Sequence, residues 1–395
     1  MPLTVLCIAT YRKGDEFLRE CRRQGCRVLL LTDERLRDSD WPREAVDAFH
    51  YVRRDMPESD IRKGAAYLAR SERLDRIVAL DDFDVELAAM LREYLQVPGM
   101  GQTAARGFRD KLAMRTRARA ADIACPEFIH PVNHEALGAW TSRVPPPWVL
   151  KPRSQAASIG IRKIATIDDL HRTLDSLADD RPEFVLEQFV PGDVFHVDTL
   201  VVNQLIVFAV ASRYRTPPMA VAHEGGIFVT RTLGDGDPVP ELKTINARLL
   251  ETFGLTRGVS HTEFIRADDG RVLFLETSAR VGGAFIVDVV EAATGVNLWR
   301  EWARIEIADE HRAYVTPQPN GQFAGIVLSL ARQEEPDMSG YTDAEIVMRI
   351  RKRHHAGVIV AASSEDRVRL LLDSYVDRFR ADFHASAPPP DRAVE

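Results

Sequence analysis

The stretch FLETSARVGGAF, residues 274–285, places an acid, a guanidinium and two glycines close together. Glu276 follows two apolar residues, Arg280 lies four positions later, and Gly282 and Gly283 come next. A carboxylate can hold a divalent cation, and a guanidinium can bind an anion through two parallel hydrogen bonds. Glycines let backbone N–H groups approach a ligand closely. The combination indicates chemistry on an anionic reactant whose charge must be neutralised.

A second acid precedes this stretch in a predicted hairpin. The segments VSHTEFI and RVLFLETS flank the turn ADDG. Side chains two positions apart lie on the same face of a strand, so His261 and Glu263 share a face of the first strand. Glu276 and Ser278 likewise share a face of the second strand, which can be the same face of the sheet. Two glutamates brought together this way repel by about 4 kcal/mol at about 4 Å and an effective dielectric of about 20, unless a cation binds between them. Oxygen ligands suit magnesium. Two glutamates on an exposed strand face remain the competing interpretation.

Three further residues could contact a nucleotide. Lys151 ends the apolar strand WVLKP and precedes the small-residue loop RSQAASIG, whose backbone N–H groups could cover phosphate oxygens. Lys111 lies in the basic helical segment that contains RDKLAM, and Glu187 lies in LEQFVPG, a predicted strand edge that an adenine could pair with. Solvated lysines and a plain strand terminus are the alternatives, and each signal is weak alone.

The elements that must position these residues follow a clear order. Apolar runs at 3–9, 27–32, 48–52 and 76–82 alternate with helical segments, which predicts a doubly wound α/β fold for the first part of the chain. Strands, hairpins and amphipathic helices follow the turn cluster VPGMG and predict an α+β region. The first βα loop, TYRKGD, lacks the glycine pattern GxGxxG, so a dinucleotide role is poorly supported.

Composition excludes several classes of partner. The net charge of -7 provides no basic face for nucleic acid. The four cysteines form no CxxC pair, which is typical of reduced thiols. The first residues, MPLTVLCIAT, lack the basic region of a signal peptide, and no apolar run approaches the ~20 residues of a membrane helix. We therefore expect a cytoplasmic protein that binds neither nucleic acid nor membrane.

The order of the motifs resembles the ATP-grasp superfamily of carboxylate–amine ligases. The resemblance runs from VPGMGQTAARGFRDKLAMR to Asn297 and rests on DK, VLKP, the small-residue loop, LEQFVPG, HTEF and LETSARVGG. It implies a pre-ATP-grasp α/β domain at 1–105 and an ATP-grasp domain at 106–310 with a lid lobe at about 115–190. A C-terminal section at 311–380 would complete the ATP-grasp fold, and a disordered tail would occupy 381–395.

The resemblance also assigns roles to particular residues. ATP would be bound by a set spread over the lid and its edge: Lys111, Lys151, Ser154, Ser158, Gly160, Glu187, Gln188, Phe189, Val190, Asp193 and His196. Lys151 and Arg280 would act in catalysis, with Arg280 steadying the transferring phosphoryl group. The metal ligands would be Glu263, Glu276 and Ser278, and the loop from Ser154 to Gly160 would close over the β- and γ-phosphates. On the substrate side we place His223, His261, Gly282 and Gly283, with a structural role as the alternative for each histidine. The glycines of AVAHEGGIF predict that His223 lies in a loop.

Two positions depart from the family pattern. Ser278 stands where the family usually has asparagine as a magnesium ligand, and its reach is shorter. The ribose-binding acid usually follows Pro-Gly by one or two residues, which here selects Asp193, since Val194 occupies the other place.

The resemblance implies an ADP-forming ligase that uses ATP and Mg²⁺, with Mn²⁺ as an alternative metal. It would activate a carboxylate as an acyl phosphate and couple it to an amine. The stretch ARVGGAF…DVVEAATGVNL is most similar to the branch that contains biotin carboxylase and the L-amino-acid ligases, so we expect amino-acid or peptide substrates. A ligase that uses bicarbonate or another small acid is one alternative, and a catalytically inactive nucleotide-binding protein is another. A homodimer, common in the family, is left open.

Overall fold

The computed structural model describes residues 2–156, 158–309 and 312–386. Within these ranges the strands form three sheets, of four, four and eight strands. The predicted class, a doubly wound α/β unit followed by an α+β region, is confirmed. None of the helices in these ranges combines the length and apolarity needed to cross a membrane.

The first sheet is parallel and has the order β3-β2-β1-β4. Its strands are β1 Thr4–Ala9, β2 Arg27–Asp33, β3 Ala48–Val52 and β4 Arg76–Ala79. The helices of this unit are α1 Asp15–Arg23, α2 Glu58–Leu68, α3 Val85–Leu95 and α4 Gln102–Arg106. The strands of a parallel sheet are covered on both faces, which explains the continuous apolar runs of β1 and β2. Three acids, Asp81, Asp82 and Asp84, follow β4 at the carboxyl end of the sheet.

The second sheet is antiparallel, with the order β5-β8-β6-β7. The elements here are α5 Lys111–Ala120, β5 Phe128–Ile129, α6 His134–Arg143, β6 Trp148–Pro152, β7 Arg162–Ile164, α7 Ile167–Leu177 and β8 Phe184–Gln188. Leu170 and Leu174, at helical spacing on α7, pack with Trp148 of β6 and Leu186 of β8. This small core fixes the two strands that carry Lys151 and Glu187.

The third sheet has the order β13-β12-β9-β10-β11-β14-β16-β15. Its strands are β9 Gly192–Val202, β10 Leu205–Tyr214, β11 Phe228–Thr232, β12 Gly258–Ala267, β13 Val272–Ser278, β14 Phe323–Leu330, β15 Ile346–Lys352 and β16 His355–Ala362. The helices in this part are α8 Pro218–Glu224, α9 Val239–Phe253, α10 Ile286–Thr294, α11 Leu298–Ile307 and α12 Glu365–Asp382. Both predicted hairpins, β9–β10 and β12–β13, are confirmed.

The first sheet's unit packs against helix α11. The rings of Phe17 and Trp302 lie 5.2 Å apart, centroid to centroid. Arg76 Nε donates to the Glu306 carbonyl oxygen at 2.6 Å, and Arg304 Nε donates to Glu20 Oε1 at 2.7 Å. These contacts join helix α1 and the start of β4 to helix α11 and so fix the first sheet's unit against the third sheet's part of the chain.

Two local predictions fail for physical reasons. His223 lies on helix α8, where the glycines of AVAHEGGIF predicted a loop; the helix begins at Pro218, a residue that suits the first helical position, and ends before Gly225. The prediction of a disordered tail from residue 381 is wrong for residues 381–386. Helix α12 continues to Asp382, Phe383 is buried, and His384 pairs with Ala331. Residues 387–395 lie outside the described ranges.

Candidate active site

A cavity of about 280 Å³ lies where the second sheet faces the third. Its apolar walls include Val149 of β6, Ile265 of β12 and Leu275 of β13. It is lined by many of the residues that the sequence predicts for nucleotide, metal or substrate: Lys111, Lys151, Ser158, Glu187, Gln188, Phe189, Val190, His223, Glu263 and Glu276. Two of the predicted lysines and three of the predicted glutamates thus share one largely apolar cleft.

Glu187 forms a buried ion-pair cluster at one side of the cavity. It is 1% exposed, with Lys151 Nζ 2.7 Å from its Oε2 and Arg115 Nη2 2.9 Å from its Oε1. Burial alone would raise the pKa of this carboxyl, but the charges of Arg115 and Lys151 outweigh burial and lower the pKa to about 2. Both oxygens of the predicted adenine acceptor therefore already face cations. Arg115 was not among the residues that the sequence predicted for the site, because it belongs to none of the motifs.

Lys111 connects the small-residue loop to Glu276. Its Nζ donates to the Gln155 carbonyl oxygen at 2.6 Å and lies 3.1 Å from Glu276 Oε2. Lys111 begins helix α5, whose first turn is capped by Asp110, the acceptor of backbone N–H groups at the next positions. The cap fixes the backbone from which the lysine reaches into the cleft. Residue 157 of the predicted loop lies outside the described ranges.

The two glutamates lie directly opposite each other. Glu263 of β12 pairs with Glu276 of β13 within the predicted hairpin, where a β-bulge between Glu263 and Phe264 brings the two residues into register. Glu263 Oε1 accepts a hydrogen bond from the Tyr214 hydroxyl at 2.8 Å, and His261 Nε2 lies 3.6 Å from the same oxygen. Burial would raise the pKa of Glu263, but His261 and Tyr214 lower it. Glu263 is therefore held ionised although its side chain is only 16% exposed.

Two histidines predicted to contact ligands are instead buried inside the third sheet. Asp198 lies between them, with its Oδ2 2.7 Å from His196 Nδ1 and its Oδ1 2.9 Å from His261 Nδ1. His196 Nε2 is 2.8 Å from the Thr230 hydroxyl. Direct contact of either ring with nucleotide or substrate is not supported, because the ring nitrogens already face protein groups. Burial would lower the pKa of His261, but Asp198 and Glu263 raise it to about 9, so the ring is a cation beside Glu263.

Arg280 meets an acid from the first sheet. Its Nε lies 3.8 Å from Asp82 Oδ1, and Asp82 also forms an ion pair with Arg109, the residue that precedes the Asp110 cap. Burial would raise the pKa of Asp82, but Arg109, Arg280 and Lys111 lower it, helped by the Ser278 hydroxyl. Ser278, the predicted metal ligand, is therefore close to Asp82. The sequence prediction missed Asp82 and Arg109; acids that directly follow a parallel strand were the signal available, because ligands bind at that edge.

The two glycines after Arg280 have different surroundings. A Cβ on Gly282 would lie 2.8 Å from Ile286 Cγ2 and 3.1 Å from Asp198 Oδ1, whereas a Cβ on Gly283 would meet nothing within 4 Å. Gly282 is thus required for packing above the buried histidines. Gly283 leaves space for a ligand to approach the backbone.

Three predicted nucleotide contacts, Ser154, Gly160 and Asp193, are not among the residues that line the cavity. Asp193 forms an ion pair with Arg213 at 2.7 Å and does not line the cavity, although its neighbours Gly192 and Val194 do. Ser154 accepts a hydrogen bond from Arg109 through its carbonyl oxygen. Gly160 adopts a φ of +70°, with Pro152 next to it. His223 Nε2 lies 3.2 Å from the Ser158 carbonyl oxygen, so α8 contacts the small-residue loop.

This set of donors fits a magnesium–nucleotide complex. Glu263 and Glu276 offer hard oxygen ligands at paired positions beside the cavity, which is what magnesium prefers. Lys111 and Lys151 supply positive charge for phosphate oxygens, and the apolar walls suit a planar base.

Residues 144–288 match the ATP-grasp domain family. Over 251 residues the chain is 26% identical to the L-arginine-specific L-amino acid ligase of Bacillus subtilis, an alignment covering 62% of this chain and 60% of that protein. This chain therefore spans less than two thirds of that relative's length.

Similar folds extend over nearly the entire chain. The L-amino acid ligase from Bacillus licheniformis superposes with a TM-score of 0.77 at 16% identity, covering 97% of this chain and 98% of that one. The N5-carboxyaminoimidazole synthetase from Staphylococcus aureus superposes with a TM-score of 0.71 at 15% identity, covering 95% and 98%. At such identities the likeness establishes the fold.

Proposed function

Since residues 144–288 form an ATP-grasp domain, as the motif order predicted, we propose that the protein is an ATP-dependent carboxylate–amine ligase acting on amino acids or peptides. The observation that carries the proposal is the direct pairing of Glu263 with Glu276 at a cavity that also contains Lys111 and Lys151. The name of the Bacillus subtilis relative supports amino acids as the substrate class.

The reaction class follows from the charges. ATP carries about four negative charges, and a carboxylate that approaches its γ-phosphate is repelled unless cations intervene. Mg²⁺, held by Glu263 and Glu276, would supply positive charge at the phosphates. Lys111 and Lys151 bind phosphate oxygens, and Arg280 binds the transferring phosphoryl group through its planar fork.

Two bond exchanges complete the cycle. A carboxylate oxygen of the substrate attacks the γ-phosphorus, the bond to ADP breaks, and an acyl phosphate forms. The amine of the second substrate then attacks the acyl carbon, phosphate leaves, and the amine loses a proton. The protein's contribution is positioning and charge neutralisation, as in other phosphoryl transfers. Gly283, with open space at its α-carbon, is proposed to border the substrate.

The division of the chain is part of the same proposal. We assign 1–105 to the pre-ATP-grasp domain, 106–310 to the ATP-grasp domain, and 311–380 to the section that completes it. The separate first sheet and the contribution of β14, β15 and β16 to the third sheet support these limits. A cytoplasmic location is proposed from the sequence alone.

The test is ADP release over all pairs of standard amino acids, with bicarbonate as a further acid and with product masses determined. We expect amino-acid-dependent ADP release and a product whose mass equals the two substrates minus water. Turnover only with bicarbonate would favour the small-acid ligase, and nucleotide binding without any turnover would favour the inactive binder. Either result would overturn the proposal.

A matched pair of variants separates the site from general effects of mutation. Glu276→Gln keeps the side chain's size but removes an anionic metal ligand, so turnover should collapse. Glu335→Gln makes the same chemical change at an exposed position and should leave turnover unchanged.

A further inference from the structure

The two metal-facing glutamates are held by the protein in a similar way. Glu276 uses Oε2 for Lys111, and Glu263 uses Oε1 for Tyr214 and His261. Among residues 2–156, 158–309 and 312–386, no hydrogen bond or ion pair reaches Glu276 Oε1 or Glu263 Oε2. Each acid therefore has one oxygen fixed and one available.

The tyrosine that fixes Glu263 comes from a strand that is not adjacent to β12. Tyr214 ends β10, which pairs with β9, and β9 in turn pairs with β12. The Tyr214 ring packs against His196 at 4.8 Å and Phe228 at 5.7 Å, centroid to centroid, and the residue is buried. Its hydroxyl can therefore reach the Glu263 oxygen across β9 without freedom to move away.

We infer that Tyr214 is a positioning residue for the metal. Its hydroxyl holds Oε1 of Glu263, the inner oxygen, so that Oε2, the outer oxygen, is left to bind the cation. The inference rests on the proposed function, because it takes Glu263 as a metal ligand. His261, anchored by Asp198, approaches the same inner oxygen from β12 itself but at 3.6 Å, longer than a hydrogen bond. Tyr214 is therefore the closer donor of the two.

Removal of the hydroxyl should weaken metal binding without removing the site. In Tyr214→Phe the ring contacts with His196 and Phe228 stay, and Glu263 keeps its contact with His261. The carboxylate can then rotate, so fewer of its orientations present an oxygen to the cation. Loss of a residue that orients a metal ligand typically costs 10–100-fold in metal affinity, and we expect about 10-fold here.

Tyr341→Phe provides a matched control. Tyr341 is also buried, and its hydroxyl donates to a carboxylate, Asp382 Oδ2, at 2.9 Å. Tyr341 lies in the core formed with α12, Asp382 lies at its exposed edge, and neither residue lines the cavity. Both variants therefore delete one partly buried hydrogen bond from a buried tyrosine to a carboxylate, and only Tyr214→Phe deletes it at a metal ligand.

The experiment measures ADP binding by calorimetry over a series of magnesium concentrations for the wild type and both variants, with melting temperatures recorded alongside. We expect the magnesium concentration for half-maximal binding to rise about 10-fold in Tyr214→Phe, with excess magnesium restoring full binding. Tyr341→Phe should keep the wild-type value. An unchanged half-maximal concentration in Tyr214→Phe, or an equal shift in both variants, would overturn the inference.

The wild type separates this inference from the proposed function. If the wild-type protein binds ADP without any dependence on magnesium, the proposed function fails first. If wild-type binding depends on magnesium and Tyr214→Phe matches it, only the role of Tyr214 is refuted.

Discussion

Replacement of Glu187 by glutamine should destabilise the lobe built on the second sheet. Glu187→Gln keeps the shape of the side chain but removes the negative charge that Arg115 and Lys151 share. Arg115 is fully buried, so it would lose its counter-charge where water cannot replace it. The perturbation is therefore mainly electrostatic.

The size of the effect follows from the pKa of the carboxyl. Its pKa falls from an ordinary 4.5 to about 2 in the folded protein. At about 1.4 kcal/mol per unit, the folded state gains about 3–4 kcal/mol from ionised Glu187 at neutral pH. Breaking a buried ion pair by removing one partner typically costs a similar 3–5 kcal/mol. We expect Glu187→Gln to lower the free energy of unfolding by about 3 kcal/mol at pH 7.

The pH dependence provides a second test. Because the folded pKa is depressed, the stabilisation is fully present above the unfolded pKa and is lost as pH falls towards the folded pKa. Between pH 7 and pH 3.5 the wild type should lose roughly two fifths of the contribution, or about 1 kcal/mol. Glu187→Gln has no such group to titrate. The difference between the two proteins should therefore narrow as pH falls below about 4.5.

The assay is urea unfolding at several pH values, with pulsed hydrogen exchange read on peptides that cover β6 and β8. Those two strands carry Lys151 and Glu187, so exchange in their peptides measures the stability of this lobe rather than that of the whole chain. Glu335→Gln is the control and should match the wild type at every pH. A Glu187→Gln protein as stable as the wild type at pH 7 would refute the reasoning. A difference that stays constant from pH 7 to pH 3.5 would refute it as well.

Three further predictions concern the cleft. Lys151→Ala should weaken ATP binding about 10- to 100-fold in calorimetry, since a hydrogen bond to a charged group contributes about 1.5–3 kcal/mol; unchanged affinity would remove Lys151 from the phosphate site. Arg280→Lys should keep magnesium-dependent ADP binding but lower turnover by about 10²-fold, because the planar fork is lost. Excess magnesium should partly restore the turnover of Glu276→Gln. If it restores the turnover of Arg280→Lys instead, the roles of Glu276 and Arg280 are reversed. Gly282→Ala should cost about 1–3 kcal/mol of stability through overpacking against Ile286, whereas Gly283→Ala should melt like the wild type; equal melting temperatures would contradict this difference.

Local sequence was sufficient for the hairpin that carries the metal acids. Period-2 alternation and the ADDG turn bring Glu263 and Glu276 near each other, as predicted, but a β-bulge between Glu263 and Phe264 is what puts the two directly opposite each other. The same reasoning correctly predicted β9 and β10 around Asn203 and Gln204, both of which adopt the positive φ that a tight hairpin turn needs. Such patterns are short-range and are written in consecutive residues.

Tertiary structure alone decided the surroundings of these residues. Asp82 reaches Arg280 from the first sheet, Arg115 reaches Glu187 from α5, and Tyr214 reaches Glu263 across β9. Tyr214 and Glu263 are 49 positions apart in the sequence, and the residues of the other two pairs are further apart. Hydrophobic periodicity gives no information about contacts over such distances along the chain. The burial of His196 and His261 was equally invisible, because a histidine in an alternating strand can face a ligand or a core. Asp198 lies between both rings only because β9 packs between β10 and β12, and that packing depends on the order of the strands in the sheet.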